Sequence, residues 1–100
     1  MKKWRSTGDY RRWRINVIRR DKQCVVCGSK KKRHAHHINH ATYFIDLRYD
    51  VNNGVCLCGK CHTQFHCNYL RSFRAKCTQY DLDNYFSLLK YLKTIEIIVK

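Results

Sequence analysis

The chain has 100 residues and carries 21 Lys and Arg against 7 Asp and Glu, a formal net charge of +14. A chain of that length is expected to form one small domain over residues 1–100, with a core modest enough to gain from a metal staple. Positive charge in such excess cannot be spread thinly, so the natural partner is a polyanion: DNA first, most naturally double-stranded, and a membrane surface second, because no segment groups its apolar anchors along a long amphipathic face. Seven cysteines, with no signal-peptide pattern and no apolar run long enough for a bilayer, point to a reducing intracellular, cytoplasmic setting.

Residues 1–8 are basic and unpatterned, and mobility is expected of them. Asp9 is a candidate cap for a helix running to about Arg20. Trp13, Val17 and Ile18 form its apolar stripe, with Arg11, Arg12, Arg14, Arg19 and Arg20 around the remainder. Cys24-Val-Val-Cys27-Gly28 reads as a metal knuckle: two thiolates can bite one ion, and the glycine allows the tight turn. A charged loop over residues 29–33 leads to a short strand at 33–38. Residues 39–52 then carry Tyr43, Phe44, Ile45, Leu47 and Tyr49, too many apolar side chains for a floppy connection. Asn53-Gly54 is a turn signal, followed by a short apolar strand that enters the second knuckle, Cys58-Gly59-Lys60-Cys61. From Cys61 the pattern predicts a helix to about Tyr69, with His62, Phe65, His66 and Tyr69 on one side. A last helix is expected from Asp81, as N-cap, to about Lys93, striped by Leu82, Tyr85, Phe86, Leu89 and Leu92. Residues 95–99 either continue it or form a strand.

Cys24, Cys27, Cys58 and Cys61 supply a closed tetrahedral set of soft ligands, which suits a structural zinc. Cys56, Cys67 and Cys77 are left as buried or half-buried thiols. His62 and His66, four apart on a helix, can share a second ion, with a third ligand from the His36-His37 pair and positions open for water and a phosphate oxygen. Of that pair, one histidine would ligate and the other, with an ordinary pKa of about 6.5, would take a proton from water. Neighbours on a regular strand point to opposite faces, so both reach one site only at a twisted strand end or a turn.

His36-His37-Ile38, Asn53-Gly54-Val55-Cys56-Leu57-Cys58 and Cys61-His62-Thr63-Gln64-Phe65-His66, with the Cys24/Cys27 knuckle and the helix before it, resemble the HNH endonucleases over residues 10–70. The resemblance implies an α+β fold: a small zinc-stapled, treble-clef-like ββα-metal domain with flanking N- and C-terminal helices. It makes His37 the general base and His36, His62 and His66 ligands of a catalytic divalent ion. Asn53 would brace the active-site loop and orient the base. Many relatives carry Asp where His36 stands. Imidazole favours softer ions than magnesium, so Mg2+, Mn2+, Ni2+ and Zn2+ all remain candidates. His34 and His40 match no fixed family role.

The expected activity is metal-dependent hydrolysis of DNA phosphodiesters, nicking one strand per active site. A zinc-stapled nucleic-acid-binding module without chemistry is the alternative. A dimer, or a partner such as those beside family nucleases encoded near phage packaging genes, is a third reading. Backbone contacts are expected from Arg11, Arg12, Arg14, Lys30, Lys31, Lys32, Arg33, Arg48, Arg71 and Arg74.

Overall fold

The computed structural model describes residues 3–70 and 76–99. Arg71 and Arg74 lie outside the described residues. Helix α1 runs Gly8–Asp21, β1 Arg33–His37, β2 Gly54–Cys58, α2 Gly59–Gln64 and α3 Gln79–Val99, with short 3-10 turns at Lys3–Ser6, Ile45–Leu47 and Val51–Asn53. The molecule is thus a small α+β body. Among the described residues no helix is long and apolar enough to cross a membrane.

The N-cap of α1 is Thr7, not Asp9: the Thr7 hydroxyl accepts from Tyr10 N at 3.2 Å. Both residue types cap helices well, and here Asp9 sits inside the first turn, where it pairs with Arg12. Trp13 and Val17 turn inward and are buried. Arg20, expected on the helix surface, instead clamps the chain that enters β2, donating to the carbonyls of Val51 and Gly54. After α2 the helix continues as a wider π turn over Phe65–Tyr69. α3 starts two residues before the expected cap. Thr78 and Asp81 exchange backbone and side-chain bonds there, with Thr78 N donating to Asp81 at 3.0 Å. It then runs on to Val99, so the tail is helical.

β1 and β2 pair antiparallel, with His36 opposite Val55 and His37 opposite Gly54. All five residues of β2 are buried because both of its faces are covered. Val55 and Leu57 join Phe65, Leu82, Tyr85 and the cysteines Cys24, Cys58, Cys61 and Cys77 in one core cluster. Each fully buried Leu or Phe there contributes roughly 1.5–3 kcal/mol. Of the three remaining thiols, Cys56 and Cys77 are buried as expected, but Cys67 is exposed.

Gly54 meets α1 on the opposite face, and its own role differs from that of the expected turn residue. Its backbone is extended (φ -137°, ψ 150°), and the turn itself lies just before it at Val51–Asn53. What the position requires is the absence of a side chain. A Cβ there would stand 2.4 Å from Val17 Cγ2 and 2.8 Å from Trp13 Cζ2. Gly54→Ala should therefore destabilise the fold by roughly 1–3 kcal/mol through overpacking, measurable as a lower urea midpoint. An unchanged midpoint would show that α1 can yield.

Candidate functional site

Successive side chains of β1 go to opposite sides. His36, buried, faces α2: its ring centroid lies 5.4 Å from that of His62, 5.3 Å from His66 and 5.2 Å from Phe65. His37 faces α1 and stacks on Trp13 at 3.8 Å with 7° between planes, while Trp4 meets it edge-on at 5.4 Å. His37 is the last residue of β1, a strand end, and although the two rings face different helices both border one cavity. β1 is an edge strand, and a cavity of about 330 Å³ runs along it, lined by His34, Ala35, His36 and His37 in succession and by Trp4, Arg5, Tyr10, His62 and His66.

The ligand nitrogens of His36, His62 and His66 lie within 4.8 Å of one another. His62 Nε2 and His66 Nε2 are 3.2 Å apart. Two nitrogens on one tetrahedral ion, at bond lengths of about 2.0–2.1 Å, stand roughly 3.3 Å apart, so this pair already has the bite of a shared ion. Burial pushes His36 well below the usual histidine range, reinforced by the charges of His62, His66, His37 and His40. His62 is pushed down to about 4 by burial and by His66 and His34. Neutral imidazole is the form that ligates a metal.

The second cluster unites Cys24, Cys27, Cys58 and Cys61, whose sulfurs also lie within 4.8 Å of one another, with Cys27 and Cys58 at 3.5 Å. Sulfurs around one zinc stand roughly 3.8 Å apart at bonds of about 2.3 Å, so the set fits such an ion. Burial pushes thiol pKa values up. At Cys24 this is outweighed by hydrogen bonding from the Cys27, Cys58 and Val26 backbone, which leaves it at about 7. Cys61 is pushed up by burial and by its sulfur neighbours. Four close cysteines so arranged can hold a structural metal such as zinc. No family model, curated protein or solved structure matches the chain.

Asn53 is buried and ties the 39–47 connection to the sheet. Its Oδ1 accepts from Asn39 N at 2.8 Å, and its Nδ2 donates to the carbonyls of Asn39 and Leu47 at 3.0 and 3.2 Å. That connection leads straight to the Arg48 carbonyl, which lies 2.8 Å from His37 Nε2. His37 does not keep an ordinary pKa. Burial pushes it down to about 4; the Arg48 carbonyl acts the other way, and the charges of Arg5, His40 and Arg48 add to the fall.

Trp4, Tyr10 and Cys77 also line the cavity and were not anticipated as site residues. Cys77 Sγ lies 3.8 Å from His36 Nε2, and no local pattern announces that approach across 41 residues. Trp4 belongs to a turn in the stretch expected to be mobile, and the Arg48 guanidinium lies 5.0 Å over its ring. His34 is exposed and stacks near His62, and His40 Nδ1 accepts from Thr42 N. Among the expected backbone contacts, Arg11, Arg12, Arg14, Lys30, Lys31, Lys32 and Arg33 are exposed. Arg48 is half-buried, with its guanidinium on the Ala41 carbonyl.

These shifts fix the sign of the acid response. His36, His37 and His62 are held neutral in the fold, whereas in the unfolded chain they protonate at about 6.5. The unfolded state then binds more protons, so stability present above pH 6.5 is lost as pH falls toward 4. Urea midpoints between pH 7 and 4 should fall steeply, and less steeply in His62→Gln. Identical slopes in the two proteins would mean that His62 is not held neutral.

Proposed function

We propose that this protein is an HNH-type endonuclease with a ββα-metal site that hydrolyses DNA phosphodiesters and nicks one strand per active site. The observation that carries the reading is the convergence of the His36, His62 and His66 nitrogens beside His37 in one cavity. A structural ion alone would need no such neighbour, and a pure binding module would need neither.

His37 is the proposed base. With Nε2 donating its proton to the Arg48 carbonyl, Nδ1 keeps the lone pair that takes a proton from water. Trp13 beneath the ring and Trp4 at its edge hold its plane. The low pKa keeps the base neutral and ready at any ordinary pH, at the expense of driving force. A phosphodiester anion in the cavity offsets the nearby Arg5 and Arg48 charges and draws that pKa upward, so the base strengthens as substrate arrives. Asn53 is a positioning residue that acts on His37 through the loop bearing the Arg48 carbonyl. A divalent ion held by His36, His62 and His66 would stabilise charge on the phosphate and on the 3′ leaving oxygen.

The test is a supercoiled-plasmid assay across Mg2+, Mn2+, Ni2+ and Zn2+ with zinc quantified in the purified protein. One firmly held zinc, a second exchangeable ion, and nicking supported better by Ni2+ or Zn2+ than by Mg2+ are expected, since three imidazoles favour borderline ions. No nicking with any ion, together with tight DNA binding, would select the catalytically inactive binding module instead.

A further inference from the structure

Away from the histidine cavity, a second cleft of about 310 Å³ lies between the outer side of α1 and the loop entering β1. Arg14 and Arg19 from α1 face Lys30, Lys32 and Arg33 across it. Ile15 and Ile18 supply its apolar lining, and no acidic residue borders it. Among the described residues the ion pairs are Arg12–Asp9 and Arg20–Asp21, neither of which reaches the cleft.

Two of the cations, Arg14 and Arg33, are held in this arrangement by backbone carbonyls. Arg14 donates to the Arg33 carbonyl at 3.3 Å, and Arg33 in turn donates to the Lys22 carbonyl at 2.9 Å. Ser29 Oγ accepts from Lys31 N at 3.1 Å, and Lys32 adopts a left-handed backbone (φ 49°). The loop therefore accepts a disfavoured conformation while presenting its lysines to the arginines of α1. Like charges gathered without a carboxylate repel one another, and a chain of phosphates relieves that repulsion.

We propose that this cleft binds the nucleic-acid phosphate backbone at a distance from the histidines, and so sets how much strand the site requires. The part concerning strand length rests on the nuclease reading. β1 carries Arg33 at one end and His37 at the other. Four steps at about 3.3 Å span about 13 Å. With the duplex axis laid along β1, a backbone charge recurring every ~3.4 Å on each strand places the cleft about four phosphates from the cut.

Binding is measured by fluorescence anisotropy of a long labelled duplex in the His37→Ala protein, over a range of NaCl concentrations. Arg19→Gln/Lys30→Gln removes two cleft charges; Lys76→Gln/Lys90→Gln removes two exposed charges that line neither cavity and serves as the control. The cleft variant should bind several-fold more weakly, with its log–log salt slope reduced by about 1.8, at about 0.9 per phosphate contact. The control should barely change either quantity. Equal losses in both variants, or none in either, would overturn the cleft, as would tighter binding to phosphatidylserine vesicles than to DNA. In the active protein, cleavage of duplexes trimmed on one side should collapse below about four or five nucleotides from the cut. Cleavage indifferent to trimming overturns the length requirement. If the protein cuts nothing, the nuclease reading fails while the salt slopes still decide the cleft.

Discussion

His37→Ala should lower plasmid nicking by roughly 10²–10⁴-fold, the usual contribution of a positioned general base, without changing zinc content or the circular dichroism spectrum. His37 is half-buried and outside the main core cluster, so its loss leaves Leu57, Phe65 and Leu82 packed as before. The ring's position makes the result interpretable. It lies between Trp13 and the Arg48 carbonyl, while His36 turns toward α2, so truncation removes the proposed base and leaves the three clustered imidazoles in place. His62→Ala should also abolish nicking, but through loss of the exchangeable ion, which equilibrium dialysis would register. Full activity in His37→Ala would remove that residue as the base.

Stripping the metal from the cysteine cluster should unfold the whole chain. Binding of structural zinc carries an apparent free energy of about 10–16 kcal/mol in small zinc modules, as large as the net stability of about 5–15 kcal/mol typical of a domain. The four cysteines also reach into everything nearby. Cys24, Cys58 and Cys61 belong to the same core cluster as Leu57, Phe65 and Tyr85. Cys58 ends β2 and caps α2, its sulfur accepting from Cys61 N at 3.5 Å. Cys58→Ser, or a strong chelator, should abolish the cooperative thermal transition and the near-ultraviolet signal of Trp13. A chelated, metal-free protein that still melts cooperatively near the original temperature would show the cluster to be dispensable.

The elements easiest to read in advance were those whose signal is local. The two Cys-x-x-Cys knuckles and the His62/His66 pair follow from spacing alone, and the structure brings both sets together. Of the expected stripe, Trp13 and Val17 lie where its period puts them, whereas Ile18 is half-buried and lines the outer cleft. What escaped depends on residues far apart in the chain. Arg20 looks like one more surface cation until Val51 and Gly54 arrive with carbonyls to be capped. Asn53-Gly54 has the composition of a hairpin turn, but packing of the glycine against Trp13 decides its role. The pKa of His37 was equally unreadable, because it depends on burial by α1 and on the Arg5, His40 and Arg48 charges. Cys77 met His36 for no reason visible in either neighbourhood.

Because His36 and His37 face different helices, the packing around each ring can change without rebuilding the other. A change at Trp13 alters the surroundings of His37 but touches none of the three imidazoles on the other side of β1. The two sides are still coupled through charge, because His37 bears on His36 and His40 bears on both rings, so paired substitutions should depart from additivity, as neighbouring sites do. Changes in α2 would bear first on the three clustered imidazoles, and changes in α1 first on the packing of His37.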